Sequence, residues 1–205
     1  VLFVGATNDS THMAGVQSLL EPVKSRWHTI LSLDPDMDDW VLWASQNQIA
    51  PEIIAFVRFR GIIALHNFIP SREITNTPSP RTVAAASKLY LAGMDDLESI
   101  SGATGPGWAA EFTAFVSCWK KMPDPDQCLK SPTSAPLPAT SDVSTSYAIA
   151  VAISLRLNSN NVDNGITYLS RMPDEYSVLA LKDAHRRDKT ICQSSGFVQW
   201  AVKNG

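Results

Sequence analysis

Residues 1–8 read V-L-F-V-G-A-T-N. The first seven are nearly continuously apolar and run into the turn-prone pair Asn8-Asp9. A strand with one solvated face alternates apolar and polar positions. This run does not, so it predicts a strand buried on both faces of a sheet. The chain opens on Val1, already inside that run, and the expectation is that further sequence precedes it in a longer protein. Residues 27–33, W-H-T-I-L-S-L, alternate weakly and predict a second strand. Buried strands need further strands and covering helices, and no later stretch has a strand pattern. Residues 1–33 therefore read as the remnant of an α/β core.

Outward from that remnant the pattern turns helical. Asp36 or Asp38 can cap a helix through Trp40, Leu42, Trp43 and Ala44. Pro51 suits a first helical position and Gly61 a helix end, which predicts a helix over 52–60. A short apolar stretch at 62–68 is followed by a polar, proline-bearing loop over 69–79. Pro80 opens a helix running to Leu91, and 94–100 is a further short one. Gly102, Gly105 and Gly107 mark a turn. Residues 108–121 carry Trp108, Phe112, Phe115 and Trp119 at the spacing of one helix face. Residues 122–146 hold five prolines among serines and threonines, the composition of a linker or an extended strap. Beyond it, helices are expected over 142–157, 162–171, 173–187 and 194–203.

Composition limits the function. The 205 residues carry 17 basic and 20 acidic side chains, for a net charge of −3, and 44% are apolar. Bulk positive charge for nucleic acid is absent. Residues 1–116 hold 7 basic and 12 acidic groups, and 117–205 hold 10 and 8, too slight an asymmetry to imply a polyanionic partner. Cys118, Cys128 and Cys192 are an odd, widely spaced set without neighbouring histidines. That favours a reducing, cytoplasmic setting over a disulfide scaffold and predicts no metal site. The longest apolar run, 147–155, is less than half of the roughly 20 residues that a membrane-spanning helix needs.

No G-x-x-x-x-G-K-[ST], H-E-x-x-H or G-x-S-x-G motif occurs in the sequence. The glycines of 102–107 follow a helix rather than a strand, so they read as a tight turn and not as a dinucleotide fingerprint. Three positions bear chemistry. Asn8 stands at the carboxyl end of the first expected strand, where open α/β sheets bind ligands. It can hold a phosphate oxygen or an attacking water, or be a plain turn asparagine. Arg81 lies in the first turn of a helix, where a cation opposes the helix dipole unless an anion binds there. The plain alternative is a solvated surface arginine. Arg26, in P-V-K-S-R-W, either marks the solvent boundary of the following strand or reaches a phosphate on a neighbouring subunit. The basic cluster His185-Arg186-Arg187 with Lys189 reads as a solvated helix end or as a contact for an acidic partner surface.

In order along the chain, these stretches resemble the second half of a MoxR-like AAA+ ATPase. V-L-F-V-G-A-T-N looks like the strand that presents the sensor 1 asparagine, Asn8. G-V-Q-S-L-L-E-P-V-K-S-R-W resembles the helix and turn that carry the arginine finger, Arg26, with Lys24 and Arg58 as rivals. D-P-D-M-D-D-W-V-L-W-A, P-E-I-I-A-F-V-R-F-R and T-P-S-P-R-T-V are similar to the helical lid, with Arg81 as sensor 2. I-S-G-A-T-G-P-G-W-A-A-E-F, M-P-D-P-D-Q-C-L-K-S-P and L-S-R-M-P-D-E-Y-S-V-L-A-L-K-D-A-H-R-R-D resemble a bacterial and phage-borne branch of the group.

The resemblance implies a mostly α chain. It would comprise the end of an αβα P-loop NTPase core at 1–33, a helical lid at 34–121, a Pro/Ser-rich linker at 122–141 and a C-terminal helical region at 142–205. It also implies a chaperone-like ATPase that remodels or matures a partner protein, with ATP and Mg2+ bound by the intact protein. Asn8 and Arg26 would act in hydrolysis, and Asn8 and Arg81 would contact the nucleotide. A finger that reaches across a subunit boundary implies a ring, usually a hexamer, and the group is associated with partners bearing von Willebrand factor A-like domains. No nucleic acid or membrane partner is implied. The phosphate-binding loop and the acidic magnesium site would lie upstream of Val1, so this chain alone should not hydrolyse ATP. The competing expectation is a non-catalytic helical interaction module derived from such a lid.

Overall fold

Helix start signals in this sequence are strong, and the computed structural model follows them closely; it describes residues 3–7, 20–69 and 73–204. A single turn, α1 (Glu21–Lys24), precedes the packed part of the chain. Helix α2 (Met37–Gln46) starts where the Asp36 carboxylate accepts the Asp39 N–H at 2.8 Å. Helix α3 (Pro51–Arg60) has proline in its first turn, where no hydrogen bond is lost, and stops at Gly61. A short α4 (Ile62–Leu65) follows. Helix α5 (Pro80–Leu91) opens with a reciprocal capping box between Ser79 and Thr82. Asp96 caps α6 (Leu97–Thr104), and α7 (Pro106–Trp119) begins after Gly105. Gly105 has φ +92°, and a Cβ there would stand 2.7 Å from the Asn76 carbonyl oxygen, so this turn requires glycine.

These helices enclose a first core rich in aromatic rings. Phe56 meets Trp108 edge-on at 5.0 Å and touches Phe112 and Phe115 at 5.6 Å each. Trp108 donates its indole N–H to the Ala64 carbonyl at 2.8 Å, which satisfies the polar atom of a buried ring. The expected face of α7 is present, with Trp108, Phe112 and Phe115 buried and Trp119 half-buried.

A second core is built by α8 (Pro125–Lys130), α9 (Val143–Ser154), α10 (Val162–Leu169), α11 (Asp174–Arg187), a 3-10 turn (Lys189–Gln193) and α12 (Ser195–Asn204). Helix α9 belongs to both cores. Ala148 and Val151 pack into the first; Ile149, Ala150 and Ile153 pack into the second. The continuous apolar run noted at 147–155 is thus a helix surrounded by protein. No helix among the described residues is long and apolar enough to cross a membrane.

One expectation is corrected and another is narrowed. There is no β-strand among the described residues. Residues 3–7 and 27–33 have no regular structure, and their apolar side chains face solvent, with Phe3, Val4 and Leu33 at 79%, 85% and 92% exposure. Strands need partners for their backbone groups, and no described segment offers an edge to either stretch. The expected linker at 122–141 is ordered locally into α8 and a pinned strap. Cys128, Leu129 and Ala135 are buried, and Tyr168 donates its hydroxyl to the Pro136 carbonyl at 2.9 Å. Proline-rich composition here reflects a strap that follows the core surface, which a fixed φ favours over a flexible tether.

Candidate functional site

The residues nominated by sequence fall in separate places. Asn8 lies outside the described residues. Arg26 is exposed just past α1, and its Nη1 donates to the Pro22 carbonyl at 3.0 Å. Arg81 is exposed in the first turn of α5. No described contact joins Arg26 to Arg81.

The rivals separate cleanly. Lys24 is paired with Glu21 at 2.7 Å on its own turn of helix. Arg58 is buried, at 8% exposure, and its whole guanidinium is engaged within the fold. Nε donates to Asp183 Oδ2 at 2.9 Å, Nη2 to Asp183 Oδ1, and Nη1 to Asp38 Oδ1. Arg186 Nη1 reaches the other oxygen of Asp38 at 2.7 Å. A guanidinium with its donors committed to two carboxylates cannot also serve a neighbouring subunit. Arg58 is structural.

The electrostatics of this cluster follow from its depth. The Arg58 hydrogen bond holds the half-exposed Asp38 carboxyl below the usual carboxylate range. Burial pushes the Asp183 carboxyl up, against the pull of Arg58. Sequence reasoning missed this network as a unit. The signal was present, because Arg58 is the one charged position within the otherwise apolar run I-I-A-F-V-R-F of 53–59. A charge inside a helix buried all round needs a partner from another element.

The basic cluster at the end of α11 is likewise mostly committed. Arg186 pairs with Asp38, and Arg187 donates to the carbonyls of Ser154 and Leu157, both at 2.6 Å, closing the C-terminus of α9. His185 stacks on Phe197 at 5.5 Å, and burial, aided by Lys189, lowers its pKa.

Arg81 differs from every other described arginine. Arg26, Arg58, Arg60, Arg156, Arg171, Arg186 and Arg187 each donate to a carboxylate or a carbonyl of this chain. Among the described residues, Arg81 alone of the arginines makes no such bond. It is held on a helix start that the Ser79–Thr82 capping box fixes.

A groove of about 440 Å³ opens on the described part of the chain. It lies between the loop after α4 and the start of α7, and Asn67, Asn76, Thr77 and Trp108 contribute to its wall. Of its charged members, Arg60, Glu73 and Glu111, the first and last are paired with each other at 2.7 Å. Arg81 does not line it. No group of three or more His, Cys, Asp or Glu side chains among the described residues could hold a metal ion.

Comparison with protein-family models, with curated proteins and with solved structures finds no match for the chain.

Proposed function

We propose that this chain is the C-terminal half of a MoxR-like AAA+ ATPase, a cytoplasmic chaperone-like machine that couples ATP hydrolysis to remodelling or maturation of a partner protein. The observation that carries the reading is Arg81, an unpaired and exposed cation on a rigidly capped helix start, at the position where the ordered motifs put sensor 2. A cation kept free at a helix N-terminus works against the helix dipole, by about 0.3–1 kcal/mol. A phosphate group bound there reverses the sign of that interaction.

In this reading the helical part from α2 to α7 is the lid, and Arg81 contacts the phosphates of ATP bound by its own subunit. Asn8 orients the attacking water. Arg26 neutralises charge that develops on ATP held by the adjacent subunit, a role worth about 10³–10⁵ in rate. Its side chain is exposed and only one of its donors is committed, to Pro22, so it can be offered to a neighbour. The ring, usually hexameric, follows from that geometry. Magnesium supplies charge neutralisation on the phosphates, and its carboxylate ligands belong to the core upstream of these motifs. A von Willebrand factor A-like partner is consistent with the same family reading.

The coding sequence upstream of Val1 is the direct test. A G-x-x-x-x-G-K-[ST] loop followed by an apolar run ending in acidic residues is expected; an in-frame start codon at or just before Val1 overturns the proposal. In the intact protein, Arg26→Ala should abolish hydrolysis while ATP binding is retained. Lost binding with hydrolysis per bound ATP intact would contradict the finger role.

The second reading, a non-catalytic helical interaction module, draws on the integrated packing of the two cores through α9. It predicts no phosphate-binding loop upstream.

A further inference from the structure

We infer that the helices after residue 142 are a rigid extension of the lid, so that α2 to α12 turn as one arm whose hinge lies before Met37. The inference rests on the ATPase reading only for what drives the arm. Its rigidity stands on packing.

Three kinds of contact cross between the two cores. Helix α9 supplies side chains to both, as described above, so neither core closes without it. A chain of rings runs across the boundary: Phe115 stacks with Phe59 at 5.5 Å, Phe59 meets Tyr147 at 5.7 Å, and Tyr147 meets Tyr176 of α11 edge-on at 5.3 Å. The buried Arg58 of α3 then holds Asp38 of α2 and Asp183 of α11 at once, and Arg186 ties α11 back to Asp38. Separating α11 from α2 and α3 would break three charge-assisted hydrogen bonds at once, two from Arg58 to Asp183 and one from Arg186 to Asp38.

A hinge between the cores would need a loosely held connection, and the only candidate by composition is 122–141. That segment starts at Met122, which packs against both cores, and is anchored again between 129 and 136. Asn164 donates to the Leu129 carbonyl at 3.0 Å, Arg171 to the Pro132 carbonyl at 2.7 Å, and Tyr168 to the Pro136 carbonyl. Rotation is therefore taken up where the described chain lacks regular structure and packing, in residues 27–36 ahead of α2. The consequence is mechanical: a turn of the lid is delivered undiminished to α12, whose Val198 and Val202 face solvent.

Native-state hydrogen exchange of the 205-residue chain, followed by mass spectrometry in rising urea, tests this without nucleotide. The slow amides of α3, α7, α9 and α11 should merge onto one global opening. An opening that releases α10 to α12 while α3 and α7 stay protected overturns the inference. Asp183→Asn weakens the latch at Arg58 and should split the merged behaviour, with α11 amides exchanging at least about tenfold faster than those of α7. An unsplit pattern in that variant removes the ion network from the coupling. The outcome is independent of the upstream coding sequence. A missing phosphate-binding loop would sink the ATPase reading and leave the rigid arm standing, and two separate openings would do the reverse.

Discussion

Arg58 and Arg81 lie on two helices of the same core and have opposite surroundings. Arg58 is buried in the middle of α3 and binds two aspartates from two other helices. Arg81 is exposed in the first turn of α5 and binds no described residue. The difference separates two uses of the same side chain. A guanidinium that is already satisfied holds a fold together, and one left unsatisfied on a fixed helix start is available to something else. Substitutions at the two sites should therefore act on different observables.

The largest stability effect is expected at Arg58. Arg58→Ala leaves Asp183 buried without its main partner and should cost about 3–5 kcal/mol, read from the urea midpoint. Replacing both partners, with Arg58→Met and Asp183→Leu together, should cost much less than the two single changes added. An additive double variant would mean that the pair is not energetically coupled, and the contrast with Arg81 would weaken.

Acid should act next, through the carboxylates. Hydrogen bonds to charged carboxylates hold Asp38, Asp96, Asp142 and Asp188 below the ordinary value of 3.8. Each then contributes stability above its unfolded pKa, and loses it as pH falls through the lowered folded value. His185 adds in the same direction, since its lowered pKa favours the neutral ring and costs stability once pH falls below its ordinary 6.5. Asp183 opposes them. Its raised pKa means that its contribution is present at low pH and lost as pH rises through the folded value. His185 should make Tm decline from about pH 6, and the four lowered carboxyls should each add to the decline below the carboxylate value of 3.8, with Asp183 acting against them. Asp183→Asn removes the opposing carboxyl, so Tm in that variant should fall more steeply with acid than in the parent.

A smaller effect is expected at the start of the shared helix. Asp142 accepts the Thr145 N–H at 3.0 Å and its hydroxyl at 2.7 Å. Asp142→Ala should cost about 1 kcal/mol and Asp142→Asn only part of that, because asparagine also accepts at an N-cap. Equal losses in the two variants would point to charge rather than capping.

Much of the helical layout was legible because its punctuation is local. Asp36, Ser79, Asp96 and Asp142 are caps, and Pro51, Pro80 and Pro125 stand in first turns; each acts within four residues of its own position. The strands expected at 1–7 and 27–33 were read from apolar runs alone, and a strand depends on neighbours that the run itself does not encode. The composition of 122–141 fitted a linker or a strap alike, and what decides for the strap is not local. Its anchors are Tyr168, Asn164 and Arg171, which are more than 30 residues further on. The unusual setting of Arg81 was legible because it is local, a cation where the helix dipole disfavours one. The role of Arg58 was not, because Asp183 lies 125 residues away.

Arg81→Ala gives the smallest stability effect and the sharpest division. The side chain is exposed and holds no described residue, and the cap of α5 is made by Ser79 and Thr82, which remain. Stability should change by no more than about 0.5 kcal/mol. The sign should lean towards stabilisation, because a cation leaves the positive end of a helix dipole. In the intact protein the same substitution should depress ATP hydrolysis strongly, while Arg81→Lys restores part of it by returning the charge without the planar fork. A loss of more than about 1 kcal/mol in the Ala variant would show that Arg81 supports the fold as Arg58 does. A stable variant with undiminished hydrolysis would show that the free cation serves neither purpose. Stability and hydrolysis must therefore be measured on the same variant, because the contrast between the two arginines holds only if the first is kept and the second is lost.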